Sequence, residues 1–289
     1  MAGRSDNLQK HFNINASIYD QQTGGCTRAM AKHILTLLPP ITSTSVIHDN
    51  ACGPGVATSE ILSQYTFQHP SLPLPTIHAT DFASAMVSLI PSLLQGNSSD
   101  HGKEWASHVQ TAVMDGCDLS AFPDGTFTHS VTNFGLFAFP DAVKGVSEIY
   151  RVLKPGGVAV VTTWKRARNL EVAQQAQQAI RPDLPTFRPV GDEWLTDSHL
   201  LNVLRDGGFE REGIAISSKE VRGQFPSLEA LIAVFEGPFW QPAKKGWRAE
   251  DLAKWEGDLK KAMTEEEKRE ASLGMTAWIA VARKGKMEA

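Results

Sequence analysis

Val46-Ile47-His48-Asp49-Asn50-Ala51-Cys52-Gly53-Pro54-Gly55 runs directly into Val56-Ala57-Thr58-Ser59-Glu60-Ile61-Leu62. Val46 and Ile47 open a short apolar run that ends on an acid, Asp49. A turn of small residues follows, and residues 56–62 read as the first turns of a helix. Strand, glycine turn, helix is how a doubly wound α/β fold opens its ligand crevice. The turn lies outside the carboxyl end of the first strand, and its glycines let backbone approach a ligand closely. Glycine turns are also ordinary connectors, so the reading rests on the neighbours downstream. The spacing excludes two ligand classes. A dinucleotide fingerprint needs a third glycine at position 58, where Thr58 stands. A phosphate-binding P-loop needs Gly-Lys-Ser/Thr after the turn, and no lysine is present.

What remains is acid-x-Ala-x-Gly-x-Gly: Asp49, Asn50, Ala51, Gly53 and Gly55. A carboxylate at a strand tip suits a ligand with positive charge at that end, such as the amino group of a methionine moiety, and repels a pyrophosphate. This is the form expected of an S-adenosylmethionine (SAM) site. Two more strands end in acids: Thr76-Ile77-His78-Ala79-Thr80-Asp81 and Val109-Gln110-Thr111-Ala112-Val113-Met114-Asp115. In a parallel sheet the three tips face one crevice. Asp81 is placed to accept from both ribose hydroxyls, and Asp115, beside Gly116, from an adenine amino group. Phe82, Met86 and Met114 are available as apolar walls for the adenine ring. Each acid alone reads equally well as the cap of the next helix. Three in succession behind a glycine turn favour the ligand. A fourth strand over residues 127–133 ends in Thr132-Asn133-Phe134-Gly135-Leu136, beside the reactive end of the cofactor. Asn133 there either orients sulfonium and substrate or closes the strand as a polar turn.

Around this centre the chain alternates strand and helix. Residues 7–19 and 26–38 read as helices, the second stopped by Pro39-Pro40. Residues 69–75 form a proline-rich loop, residues 82–94 a helix and residues 95–103 a polar loop. Residues 141–153 read as a helix, Lys154-Pro155-Gly156-Gly157 as a sharp turn, and residues 158–164 as a buried strand. Such alternation implies a mostly parallel sheet covered on both faces. Further on, residues 197–205, 227–239 and 250–268 read as helices, and residues 214–221 as a strand. Residues 274–283 close as an antiparallel strand. His48 and His129 read as structural, and Cys52 as a small residue filling a tight turn.

Asp49-Asn-Ala-Cys-Gly-Pro-Gly55, Thr80-Asp-Phe-Ala-Ser-Ala-Met86, Met114-Asp-Gly-Cys-Asp-Leu-Ser-Ala-Phe-Pro123 and Ile149-Tyr-Arg-Val-Leu-Lys-Pro-Gly-Gly157 resemble the ordered motifs of class I SAM-dependent methyltransferases. The resemblance covers residues 10–165 closely and the rest loosely. Within that superfamily the chain is similar to small-molecule methyltransferases of fungal secondary metabolism, of the gliotoxin thiomethyltransferase type. It implies a doubly wound α/β fold: a mostly parallel, seven-stranded Rossmann-like sheet with the last strand antiparallel, plus a helical cap. It also implies that Asp49 and Gly53 hold the methionine part, Asp81 the ribose and Asp115 the adenine. Tyr19, in an N-terminal Ile-Tyr-Asp helix, would close over the cofactor. The departure is Ala51, where the family often has glycine.

A sulfonium methyl is already electrophilic, so the protein's task is to align a nucleophile and exclude water. A base helps only where the acceptor is protonated, and no histidine or acid reads as one. Aromatic residues are plentiful near the expected mouth. Trp164 follows the fifth strand directly; Phe187, Phe239 and Trp240 are further substrate candidates, whereas Phe235 and Trp194 read as core of the cap. The N-terminal helices (residues 1–40) and residues 165–190 and 226–270 make the expected cap over a flat, apolar substrate.

At 289 residues and 42% hydrophobic, with no linker-like tract, the chain reads as one large domain. A net charge of −4 without a basic stripe argues against nucleic acid and membrane surfaces. The absence of a long apolar run or signal peptide, and three cysteines without metal spacing, fit a cytoplasmic protein. The charged segment 250–268 reads as a solvated face, with a homodimer contact as the alternative. The expected activity is methyl transfer to O, N or S of a small, aromatic or heterocyclic molecule. Two alternatives keep the same cofactor motifs: a SAM-assisted rearrangement or cyclisation without methyl transfer, and a regulatory SAM-binding protein.

Overall fold

A computed structural model describes residues 9, 12–14, 16, 19–97 and 101–285. Seven strands form one sheet in the order β3-β2-β1-β4-β5-β7-β6. They are β1 (Val46–Asn50), β2 (Thr76–Asp81), β3 (Val109–Val113), β4 (Phe127–Asn133), β5 (Leu153–Ala167), β6 (Ile214–Gln224) and β7 (Ser272–Arg283). Strands β1 to β5 pair in parallel, and β7 enters antiparallel between β5 and β6. The register matters for function. Asp49 lies level with Ala79 on one side and Val131 on the other, and Asp81 with Val113. The carboxyl ends of β1 to β4 therefore open onto one crevice, as strand order reversal at β1/β4 requires.

Twelve α-helices complete the described residues. They are α1 (Tyr19–Thr23), α2 (Cys26–Leu35), α3 (Val56–Gln68), α4 (Ser84–Asn97), α5 (Gly102–His108), α6 (Ala142–Val152), α7 (Arg168–Ile180), α8 (Asp197–Asp206), α9 (Leu228–Val234), α10 (Ala249–Leu252), α11 (Trp255–Ala262) and α12 (Glu265–Glu270). On one face of the sheet Met30 and Ile34 of α2 and Ile61 and Leu62 of α3 pack on Ile47, Ile77 and Ile279. On the other, Ile149, Val152, Leu200 and Leu204 of α6 and α8 cover Phe127, Val161 and Ala280. Full burial of each such side chain contributes about 1.5–3 kcal/mol. The cap has its own core: Val172, Ala176, Leu231, Phe235, Trp240, Trp255 and Leu259, resting on Leu273 at the start of β7. Buried Arg168 ties α7 to α12 through Glu267 (2.7 and 3.0 Å) and to the carbonyl of Ala262 (2.7 Å). No helix among the described residues is long and apolar enough to cross a membrane.

Several elements differ from the sequence expectation, each for a local reason. The expected 95–103 loop is in part helix, with α4 reaching Asn97 and α5 starting at Gly102. Strand β3 ends at Val113, so Asp115 sits in the following turn and is exposed. The single charged helix expected over 250–268 is three short ones, because Thr264 starts α12 with a capping box closed by Glu267. The 227–239 helix stops at Val234, and Pro238 opens a 3-10 turn to Lys244. Strand β5 begins at Leu153, its ladder with β4 shifting register between Phe127 and His129 around the expected turn. The expected 7–19 helix lies largely outside the described residues.

The departure at Ala51 has a structural counterpart. Ala51 adopts φ +52°, a left-handed conformation that costs an L-residue about 1–2 kcal/mol. Its methyl group fits only because position 135 is glycine: a Cβ there would lie 2.5 Å from the Ala51 Cβ. Ala51→Gly is expected to stabilise the fold by about 1 kcal/mol. Gly135→Ala alone should destabilise by about 1–3 kcal/mol, and the double variant should recover most of that loss. Denaturant titration of the four proteins measures the coupling; additive effects would show the two positions to be independent.

Candidate active site

Asp49 is 1% exposed, and its Oδ2 accepts two hydrogen bonds from one residue, the Thr58 amide (2.9 Å) and the Thr58 hydroxyl (2.6 Å). The residue that excluded a dinucleotide fingerprint is thus the anchor of the strand-tip acid, a role the sequence reading missed. Asp81 performs the complementary task from β2. Its Oδ2 accepts from the Gly53 amide (2.9 Å) and its Oδ1 from the Ala83 amide (2.8 Å), fastening the glycine turn to the neighbouring strand. His48 is structural, as expected: its ring stacks on Phe127 at 4.8 Å and meets the Thr80 hydroxyl at 2.9 Å. His129 likewise meets the Thr128 hydroxyl at 2.8 Å.

A cavity of about 250 Å³ lies over the tips of β1 to β4. It gathers eleven of the expected cofactor residues: Tyr19, Ala51, Gly53, Asp81, Phe82, Met86, Met114, Asp115, Gly116, Asn133 and Phe134. Asp49 borders instead an adjoining pocket of about 30 Å³, together with Thr27, Cys52 and Asn133. Asn50 and Gly55 line none of these spaces. Strand alternation turns Asn50 away from Asp49, toward Gly116, while Gly55 ends the turn as the residue before α3. The sequence reading missed Gln9, Phe12, Gly135, Ala138 and Phe139 in the cavity wall. The N-terminal residues close it from above: the Gln9 amide donates to the Phe82 carbonyl (2.6 Å), the Ala85 amide donates to Asn13 (2.9 Å), and Phe12 meets Phe82 edge-on at 5.9 Å.

A second, larger cavity of about 400 Å³ opens beneath the cap. Trp164, Phe239 and Trp240 line it as expected. Phe187 does not; it packs edge-on behind Phe239 (5.5 Å) and Trp240 (6.0 Å). Phe235, expected as cap core, is buried in that core and also borders the cavity, and Trp194, expected there too, is in the wall. The two cavities share Phe12, Tyr19, Phe134 and Ala138. Phe134 is the partition: it holds φ +59° and stacks on Trp164 at 3.8 Å and 14°. A relay of hydrogen bonds keeps it there. The Phe134 amide donates to the Thr162 hydroxyl (2.9 Å), which donates to Asn133 Oδ1 (2.9 Å), and Asn133 Nδ2 donates to the Thr27 carbonyl (3.1 Å).

Residues 48–161 match the family model described as a methyltransferase domain. The chain is 28% identical over 158 residues to methyltransferase ucsB of Acremonium sp, covering 54% of this chain and 53% of that protein. The aligned stretch is thus about half of ucsB. It is 26% identical over 266 residues to methyltransferase ktnA of Aspergillus niger, covering 83% of this chain and 84% of that one. Residues 48–161 are thus similar to a methyltransferase domain, and both relatives carry the name methyltransferase. Among solved structures, the [4+2]-cyclase SpnF superposes with a TM-score of 0.56 at 17% identity, over 98% of this chain and 97% of that one, a likeness of fold.

Electrostatics in the site follow from burial. Burial pushes the Asp49 carboxyl up to about 7, against the pull of the two Thr58 hydrogen bonds. Asp81 is also raised by burial, opposed by the amides of Ala83 and Gly53. Burial, then the two nearby acids, hold the Cys52 thiol well above its usual range, so it is a neutral filler of the turn. The native state therefore binds a proton at Asp49 between the ordinary carboxylate range and pH 7 that the unfolded chain has lost. Stability of the ligand-free protein should fall as pH rises from about 4 to about 7, by up to about 1.4 kcal/mol per pH unit from this group. Asp49→Asn, which carries no titratable proton, should flatten that slope. Denaturant unfolding at pH 5 and 7.5 checks it; an unchanged slope in the variant would assign the effect elsewhere.

Proposed function

We propose that this methyltransferase binds SAM over the tips of β1 to β4 and methylates O, N or S of a small, aromatic or heterocyclic acceptor held under the cap. The observation that carries the reading is the meeting of two cavities at one wall, Phe134 with Tyr19, Phe12 and Ala138. The residues on the cofactor side fit SAM. Gly53 has φ +55° and nothing within 4 Å of where its Cβ would stand, so bare backbone borders the cavity. Asp81 keeps acceptor capacity for ribose hydroxyls, since each of its oxygens accepts one backbone amide and has a further lone pair. Asp49, unfavourably charged where it is buried, favours a cation nearby.

SAM, when bound, supplies an electrophilic sulfonium methyl. The residues of this chain supply alignment and a dry aperture. Phe134 and Trp164 offer stacked aromatic faces beside the partition, and Trp194, Phe235, Phe239 and Trp240 continue the apolar wall. The carboxylates in that wall, Glu171 and Asp192, are engaged by Arg166 (2.6 Å) and Arg188 respectively. The acceptor is thus positioned by aromatic contact, in line with the partition. The cyclisation reading has weaker support: the likeness to SpnF is one of fold, whereas the sequence relatives ucsB and ktnA are both named methyltransferases. The three buried cysteines form no disulfide among the described residues, which agrees with the cytoplasm as the place of action.

Isothermal titration tests the cofactor half of the proposal. S-adenosylhomocysteine should bind with micromolar Kd and NAD should not, and Asp81→Ala should weaken the former by about tenfold, the worth of one charge-assisted hydrogen bond. Mass spectrometry of incubations with SAM and a panel of phenols, heterocyclic amines and thiols tests the chemical half. A product heavier by one methylene unit, formed with an equivalent of S-adenosylhomocysteine, is expected. Product formation without S-adenosylhomocysteine would overturn methyl transfer.

A further inference from the structure

Lys165 is an extra residue in its strand. Trp164 of β5 pairs with Ala277 and Arg166 with Thr276, so Lys165 between them has no opposite number in β7. A bulge of this kind re-aims the side chain it carries. Here the ammonium lies 4.2 Å from the centroid of the Trp278 ring. That indole is itself held, its Nε1 donating to the Leu195 carbonyl (2.8 Å). Lys165 and Leu195 both line the larger cavity, in the same wall as Trp164.

The charges of that wall do not cancel. Three cations line the cavity, Lys165, Arg166 and Arg188, against two acids, Glu171 and Asp192. Arg166 grips Glu171 through two hydrogen bonds (2.6 and 2.7 Å), and Arg188 pairs with Asp192. Lys165 is left over: among the described residues its ammonium makes no hydrogen bond and no ion pair. The indole face attracts the charge but satisfies none of its three N–H donors. The surplus is local, since the chain as a whole carries a net charge of −4. A cation with open donors, steadied on an indole beside an aromatic wall, suits an anionic group on a flat apolar ligand.

We propose that the acceptor is an aromatic carboxylic acid, its ring against Trp164 and its carboxylate engaged by Lys165. The inference rests on the reading of the larger cavity as the acceptor site, and it narrows that reading to one substrate class. A carboxylate is ionised at neutral pH, whereas a simple phenol is not, and its two oxygens match the open ammonium donors. Neutral rings of the same shape leave Lys165 unpaired, and cationic ones are repelled by it. Lys165 does not line the cofactor-side cavity, so the group it holds orients the ring and a different atom receives the methyl.

Calorimetric titration with 2-naphthoate and with its uncharged methyl ester tests this on wild type, Lys165→Gln, Lys165→Arg and Trp164→Ala. Wild type should bind the carboxylate about tenfold more tightly than the ester, a preference that shrinks as salt is raised. Lys165→Gln should lose the preference while binding the ester and S-adenosylhomocysteine like wild type, and Lys165→Arg should keep it. Trp164→Ala should weaken carboxylate and ester alike, which places the ring in this cavity. Equal binding of the two compounds by wild type, binding of neither, or a preference that survives Lys165→Gln would overturn the role of Lys165. S-adenosylhomocysteine titrated alone keeps the two readings apart. If it fails to bind wild type the SAM reading falls; if it binds and the preference is missing, only the aromatic-acid reading does.

Discussion

A carboxylate with 1% exposure at the end of a central parallel strand is the constraint around which this crevice is built. Burying Asp49 is unfavourable unless its oxygens are satisfied, and Thr58 satisfies one of them twice, from the first turn of α3. That contact sets the distance between strand tip and helix start, hence the path of the glycine turn between them. Asp81 then pins the middle of the same turn from β2 through Gly53. Two acids on adjacent strands thus hold one loop in place, and the same burial raises both carboxyls, leaving a site electrostatically suited to a cation.

Strain gathers at the same crest. Among the described residues, two of the three non-glycine residues with positive φ, Ala51 and Phe134, follow β1 and β4, and both reach the cavity over the strand tips. Each is held by a tertiary partner: Ala51 by the missing Cβ of Gly135, Phe134 by Thr162 and by its stack on Trp164. Strained backbone persists where surrounding structure over-determines it, and here that structure is the aperture between the cavities.

The cap plays two parts with one set of residues. Phe235 and Trp240 belong to its own apolar core and also to the wall of the larger cavity. A change in the shape of that cavity therefore bears on cap packing, and a packing change bears on the cavity. The sheet is more general: its likeness to SpnF shows that such a frame is not confined to one chemistry, so what this chain does is decided in the cavities above it.

By itself the sequence determined the order of the seven strands along the chain, the acids at the ends of β1 and β2, the glycine turn and the late antiparallel strand. All are local signals: short apolar runs, breakers, and one side chain per strand tip. Thr58 was legible only as what it is not, because its bond to Asp49 spans strand, turn and helix. Asn50 and Gly55 share the motif with Gly53 yet miss the cavity, a matter of which way a strand's side chains alternate and where a helix begins. Which aromatics of the cap line the larger cavity was likewise decided by the tertiary structure. Phe187 and Phe235 look alike in a row of apolar residues, and only packing puts the first behind Phe239 and the second in the wall. Residue type records that a side chain leaves water; whether it leaves for core or cavity depends on neighbours distant in sequence, and those exist only once the chain has folded.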